Sequence, residues 1–226
     1  NEDNKLILGR GLTGDVIVDI DKTPHILIGG NTGSGKSVLV QCLLWQAIQQ
    51  ADVVYVADFK GGVDFSYVWQ EFAYIITEET KLLVLLNHLA DTLEERKRLF
   101  KEVDAANITE YREKSGDYMQ RIVFACDEVA ELLDKTGADK ARKELLAQIE
   151  ARLALIARQG RAFGIHLILA TQRPDANILP GQIKNNMNIR ICGRADTTLS
   201  TIIIGDGRAA EQIPHDAQGR FLMEDG

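Results

Sequence analysis

The residues Gly30-Asn31-Thr32-Gly33-Ser34-Gly35-Lys36-Ser37 satisfy G-x-x-x-x-G-K-[ST] directly after the apolar run His25-Ile26-Leu27-Ile28-Gly29. Glycines at this spacing let backbone N–H groups curl around phosphate oxygens. The Lys36 ammonium then reaches the β- and γ-phosphates, and the Ser37 hydroxyl ligates Mg²⁺. The backbone from Gly30 to Val38 forms the expected binding surface, and the helix it opens turns its positive dipole end toward the anion. With Gly near 7% of ordinary composition, the fixed positions coincide by accident about once in several tens of thousands of windows. The apolar strand before the loop and the Pro-free run Val38 to Ile48 after it supply the setting the motif requires.

A P-loop lacks the acids that hold the metal and activate water. Ile122-Val123-Phe124-Ala125-Cys126-Asp127-Glu128, an apolar run ending in two carboxylates, has the form of a Walker B element. Asp127 is the expected metal-shell residue and Glu128 the expected base that orients the attacking water. A third apolar run ends in Ala170-Thr171-Gln172-Arg173-Pro174. Ligands in open parallel sheets bind at the carboxyl ends of strands, which places Thr171 and Gln172 where a γ-phosphate would lie. Gln172 donates and accepts hydrogen bonds, so it suits phosphate sensing or water positioning.

These loops require a scaffold that brings several strand ends together. Short apolar runs alternate with longer helical patterns, a βαβ rhythm that predicts a mostly parallel central sheet flanked by helices. The expected strands are Val16–Ile20, His25–Ile28, Val53–Asp58, Tyr74–Thr77, Ile122–Cys126, Ile165–Thr171, Asn188–Cys192 and Arg220–Met223. Leu82, Leu86, Leu89 and Leu93 recur at helical spacing, as do Leu145, Ile149, Leu153 and Ile156, and both stripes are read as core-facing. The charged run Glu94-Glu95-Arg96-Lys97-Arg98 between them reads as a solvated helix face.

Composition narrows the class. The chain's 226 residues suit one α/β domain; 45% hydrophobic and 26% charged residues exclude a disordered chain. No apolar stretch approaches a membrane span, and no secretory leader is recognisable. Cys42, Cys126 and Cys192 are too scattered for a zinc site or disulfide framework and are read as buried structural thiols. A net charge of −7 requires any nucleic-acid contact to be local. The start at Asn1 rather than Met is expected of a fragment of a longer membrane-anchored or multidomain protein.

Taken together, Pro24 through the P-loop, Asp58-Phe59-Lys60-Gly61-Gly62, and the long segment Arg161 to Pro174 resemble the signatures of the FtsK/SpoIIIE translocase family over nearly the whole chain, 1–226. The resemblance implies a RecA-like P-loop ATPase using ATP and Mg²⁺. It also implies a homo-oligomeric ring, usually a hexamer, that pumps a polymer through its pore as a cytoplasmic domain of a bacterial inner-membrane protein. In a ring a neighbouring subunit supplies an arginine to the γ-phosphate, and family position points to Arg161, with Arg190 and Arg194 as runners-up. The alternative for Arg158 and Arg161 is an exposed helix end paired with nearby acids. Arg173, in a loop that the resemblance turns to the pore, and Lys184 are candidate DNA contacts that grip phosphates without reading sequence.

The segment between Asp58 and Asp127 is compact, and residues 1–226 themselves contain no winged-helix module. Asp58 to Gly62 is also similar to type VII secretion ATPases, which leaves two cargo readings: a DNA translocase, such as the coupling motor of a conjugative element, and a protein-secretion ATPase. A binding module without turnover is disfavoured by the joint presence of Lys36, Asp127 and Glu128. His166 reads as a core histidine, and Trp45 and Trp69 as core or interface packing. Asp58 and Lys60 either tune the site or pair with each other.

Overall fold

The computed structural model describes residues 4–60, 64–173 and 179–225; Gly61, Gly62 and Pro174 of the motifs above lie outside them. The chain opens with an antiparallel hairpin, β1 (Lys5–Gly11) and β2 (Gly14–Asp19). It continues through β3 (His25–Gly29), α1 (Lys36–Gln49), β4 (Val53–Ala57), a 3-10 turn over Tyr67–Glu71, β5 (Tyr74–Ile76), α2 (Glu79–Glu102) and α3 (Ile108–Ser115). Then follow β6 (Ile122–Cys126), α4 (Val129–Leu133), α5 (Lys140–Gln159), β7 (Ile165–Thr171), α6 (Gly181–Lys184), β8 (Ile189–Cys192), α7 (Thr197–Ile204), α8 (Arg208–Gln212) and β9 (Leu222–Asp225).

The central sheet runs β5-β4-β6-β7-β3-β8-β9, parallel throughout except for β9, which returns antiparallel along β8. The expected α/β class is therefore observed. The strand expected at Val16–Ile20 forms, but in the separate hairpin with β1, which the sequence reading omitted. Gly9 and Gly11 interrupt the apolar alternation of β1, and its register slips between Ile7 and Gly9. The hairpin is docked by α1: the Ile7 N–H donates to Gln46 Oε1 at 2.7 Å and Gln46 Nε2 to the Ile7 carbonyl at 3.0 Å.

Strand side chains alternate between two cores. Leu27, Phe124 and Leu167 face α2, α5 and α7, whereas Ile26, Ile28, Val123 and Ile168 face α1 and the hairpin. The α2 stripe Leu82, Leu86, Leu89 and Leu93 is fully buried; on α5, Leu146 takes the place expected for Leu145, which is only half-buried. Caps agree with local sequence: Asn107, Asp139 and Asp196 each accept an N–H from the first turn of α3, α5 and α7.

Two expectations fail for the same reason, that a residue's side of its helix is set by how the helix packs and not by its own polarity. Arg96 is buried on α2, where its guanidinium donates to the carbonyls of Phe163 at 2.5 Å, Gln120 at 2.7 Å and Gly164 at 3.3 Å. Conversely Cys42 is exposed on α1, opposite the buried stripe Leu39, Leu43 and Leu44; Cys126 and Cys192 are buried as expected. Trp45 is 42% exposed and packs edge-on to Trp69 and Phe72. No helix among the described residues is long and apolar enough to cross a membrane.

Candidate active site

Because β4, β6, β7 and β3 are adjacent and parallel, their carboxyl ends open onto one edge of the sheet. From β3 the chain turns through Gly30–Gly35 into α1, which starts at Lys36 with Gly35 in the left-handed region, φ 95°. The turn is tight at Gly30 too: a side chain there would meet Ser34 Oγ at 2.5 Å. Among the described residues, the backbone N–H groups of Gly33, Gly35, Lys36, Ser37 and Val38 have no hydrogen-bond acceptor. They line a cavity of about 260 Å³ with Asn31, Thr32, Lys60, Asp64, Gln172 and Gln218.

Asp127, at the end of β6, is the hub of the floor. Lys36 Nζ donates to its Oδ1 and to its carbonyl, both at 2.8 Å, Ser37 Oγ to Oδ1 at 3.2 Å, and Lys60 Nζ to Oδ2 at 2.6 Å. Burial pushes the Asp127 carboxyl up, but the two ammonium groups outweigh it and hold it below the usual carboxylate range. Asp58 and Lys60 do not pair through their side chains. The Lys60 side chain reaches Asp127, and only its backbone N–H bonds Asp58, at 3.0 Å.

Glu128 is clamped from β7. Thr171 Oγ1 donates to Oε1 at 2.6 Å and the Gln172 N–H to Oε2 at 2.9 Å. Burial raises its carboxyl above the ordinary value in spite of these donors. Gln172 itself accepts from Thr32 Oγ1 at 3.0 Å, which ties the end of β7 to the P-loop.

The residues present fit a nucleoside triphosphate with a divalent cation. Orphan N–H donors face a cavity whose acidic side carries Asp64 and Asp127, with the Ser37 hydroxyl between them at 3.5 and 3.2 Å. Asp64 was not anticipated: it lies just past the Asp58–Gly62 segment, and nothing in its immediate sequence marks it. Burial, then the charge of Asp127, raises its carboxyl.

The arginines are distributed differently from one another. Arg194 is held within this chain's own loop, donating to the Thr32 carbonyl at 2.8 Å and to the His215 carbonyl. Arg190 closes the turn between α6 and β8 through the carbonyls of Met187 and Lys184. Arg161 is exposed after α5, at the amino end of β7 and so across the sheet from its own P-loop. Neither it nor Arg158 makes an ion pair among the described residues. Arg173 pairs with Asp134 at 2.9 Å, and Lys184 is half-buried at the end of α6.

Residues 2–176 match the FtsK/SpoIIIE family. The DNA translocase FtsK of Campylobacter jejuni subsp. jejuni is 32% identical over 221 residues, covering 92% of this chain and 22% of that protein. That of Helicobacter pylori is 32% identical over 222 residues, with 92% and 25% covered. This chain thus spans about a quarter of the length of these relatives. Among solved structures it resembles the pCW3 conjugation coupling protein TcpA, in monomer form with ATPgS, at TM-score 0.94 and 41% identity over 99% of this chain and 63% of that one. The cytoplasmic domain of the Thermomonospora curvata type VII secretion ATPase EccC gives TM-score 0.76 and 24% identity over 100% and 28%, a likeness of fold. By this match over most of its length, the chain belongs to the FtsK/SpoIIIE family.

Proposed function

We infer that residues 1–226 are a single motor domain that hydrolyses ATP to drive DNA through a homo-oligomeric, hexameric ring, within a longer membrane-associated protein. The observation that carries this reading is the Lys36–Asp127 pair beside Glu128 held by Thr171 and Gln172 at the carboxyl edge of the sheet, beneath unpaired P-loop N–H groups. Mg²⁺, when bound, supplies charge neutralisation across the phosphate oxygens, and Ser37 and Asp127 are the residues that would hold it. Lys36 and the unpaired N–H groups of Gly33, Gly35, Lys36, Ser37 and Val38 bind and orient the triphosphate. Glu128 takes the proton of the attacking water at a carboxylate oxygen, and its raised carboxyl makes it a better base near neutral pH.

Arg161 stands on the far side of the sheet from its own cavity, which supports its assignment to the γ-phosphate of a neighbouring subunit. Arg173 and Lys184 are assigned to DNA phosphates, giving affinity without base readout. DNA is favoured over a polypeptide cargo because the 41% identity is with a conjugation coupling protein, whereas the secretion ATPase shares fold alone. The test is ATP hydrolysis by the assembled protein with and without DNA. Stimulation that falls steeply with added salt is expected. Hydrolysis indifferent to every DNA but stimulated by a secretion-substrate peptide would reverse the assignment.

A further inference from the structure

One buried carboxylate oxygen beside the site lacks a donor. Asp58 is 2% exposed; its Oδ1 accepts the Lys60 N–H, while Oδ2 has no hydrogen-bond partner among the described residues. A buried charged acceptor left unpaired is costly, so its retention at this position points to a donor that arrives in another arrangement. The candidate donor is the side chain of the residue whose N–H already holds Oδ1. Lys60 borders both the phosphate cavity and a small one, of about 10 Å³, between Asp58, Asp127, Glu128 and Glu131.

We propose that Lys60 is a positioning residue that exchanges carboxylates, its ammonium passing from Asp127 to Asp58 when nucleotide and divalent cation enter the site. The inference rests on the nucleotide-site reading above. Asp127 has Oδ1 engaged by Lys36 and Ser37 and Oδ2 by Lys60, so a cation entering beside it meets two ammonium charges that repel it and must be received elsewhere. Lys36 has phosphate to receive it. Lys60 needs another anion, and both oxygens of Glu128 are taken by Thr171 and Gln172. Asp64 is partly exposed and accepts from Ser37, and Glu131, which also lines the small cavity, is exposed, so both of these carboxylates keep water as a partner. Asp58 Oδ2 is the buried acceptor without a donor, on the residue whose other oxygen already holds the Lys60 backbone. A lysine's flexible stem and three rotatable donors permit the transfer without moving the backbone. Asp58 thereby receives the charge that Asp127 must shed, and the end of β4 becomes coupled to occupancy of the P-loop.

The test is a double-mutant cycle read as the Mg²⁺ concentration that half-saturates tight binding of a fluorescent ATP analogue. Asp58→Asn, which removes the receiving charge, is expected to raise that concentration about tenfold, and Lys60→Met, which removes the competitor at Asp127, to lower it about tenfold. A simple field effect of the lost charges would make the double variant return to the wild-type value. The exchange requires the double variant to match Lys60→Met, because Asp58 matters only if Lys60 must be received. Additive behaviour, or no shift in either single variant, overturns the proposal. Absence of Mg²⁺-dependent nucleotide binding in the unmodified protein overturns the nucleotide reading, and the exchange with it. Should Asp58→Asn fail to fold, amide exchange at Lys60 in the unmodified protein decides the matter. With a non-hydrolysable analogue, adding Mg²⁺ should slow it as Asp58 is gripped at both oxygens; an unchanged rate overturns the exchange.

Discussion

Glu128 is held at both oxygens by the neighbouring strand, which fixes its direction while leaving its charge to be tuned by burial. Glu128→Gln keeps the volume and one acceptor but removes the base. Turnover is expected to fall about 10²–10⁴-fold with nucleotide affinity nearly unchanged, measured by steady-state hydrolysis and equilibrium binding. Near-normal turnover would remove Glu128 from the mechanism. At this scale the sequence was informative wherever the chemistry demands fixed spacing. Lys36 and Ser37 follow from the P-loop, and Asp127 and Glu128 from an apolar run ending in acids. Asp64, and the cis contact of Arg194 with Thr32, were not legible, because which loop side chain reaches a cavity depends on how the loop is carried by the fold.

Among the elements, β3 and β7 each bury a histidine in the sheet interior. Burial pushes the His25 imidazole down to about 3, with Arg161 acting in the same direction, and the Leu167 N–H donates to its Nδ1 at 3.0 Å. Burial likewise lowers His166, facing His25, Arg121 and Arg96, so its reading as a core histidine is consistent with the structure. The folded state holds His25 neutral, whereas the unfolded chain takes up a proton below about 6.5. Its stability contribution is therefore complete above pH 6.5 and is lost as pH falls from there toward 3. Between pH 7 and 5 the loss from His25 alone is about 2 kcal/mol, whatever the folded value below 5. Denaturant unfolding at both pH values should show His25→Gln, which keeps an acceptor for Leu167, losing about 2 kcal/mol less than the unmodified protein. Equal losses would show that His25 protonates without unfolding. Helical stripes were read from periodicity alone, but Arg96 was misread because a guanidinium can be buried when three carbonyls from other segments meet it.

At the scale of the whole molecule, the proposed ring makes each site depend on two subunits. Mixing Glu128→Gln subunits with Arg161→Ala subunits is the check. Each alone is expected to be inactive, and the mixture to recover hydrolysis at interfaces that join an intact Glu128 to an intact Arg161. A mixture as inactive as its components would place Arg161 outside the site.

The sequence by itself determined the α/β class, most of the strands and the P-loop with its paired acids, since these rest on local periodicity and on spacing along one chain. Only the tertiary structure decided the strand order that makes β4 a neighbour of β6. It also decided that Lys60 bonds Asp127 rather than Asp58, that Thr171 and Gln172 clamp Glu128, and that Arg161 lies across the sheet from the P-loop. These are relations between residues far apart in the chain. They are set by which parallel strands lie side by side, a property of the packed core that no local pattern encodes.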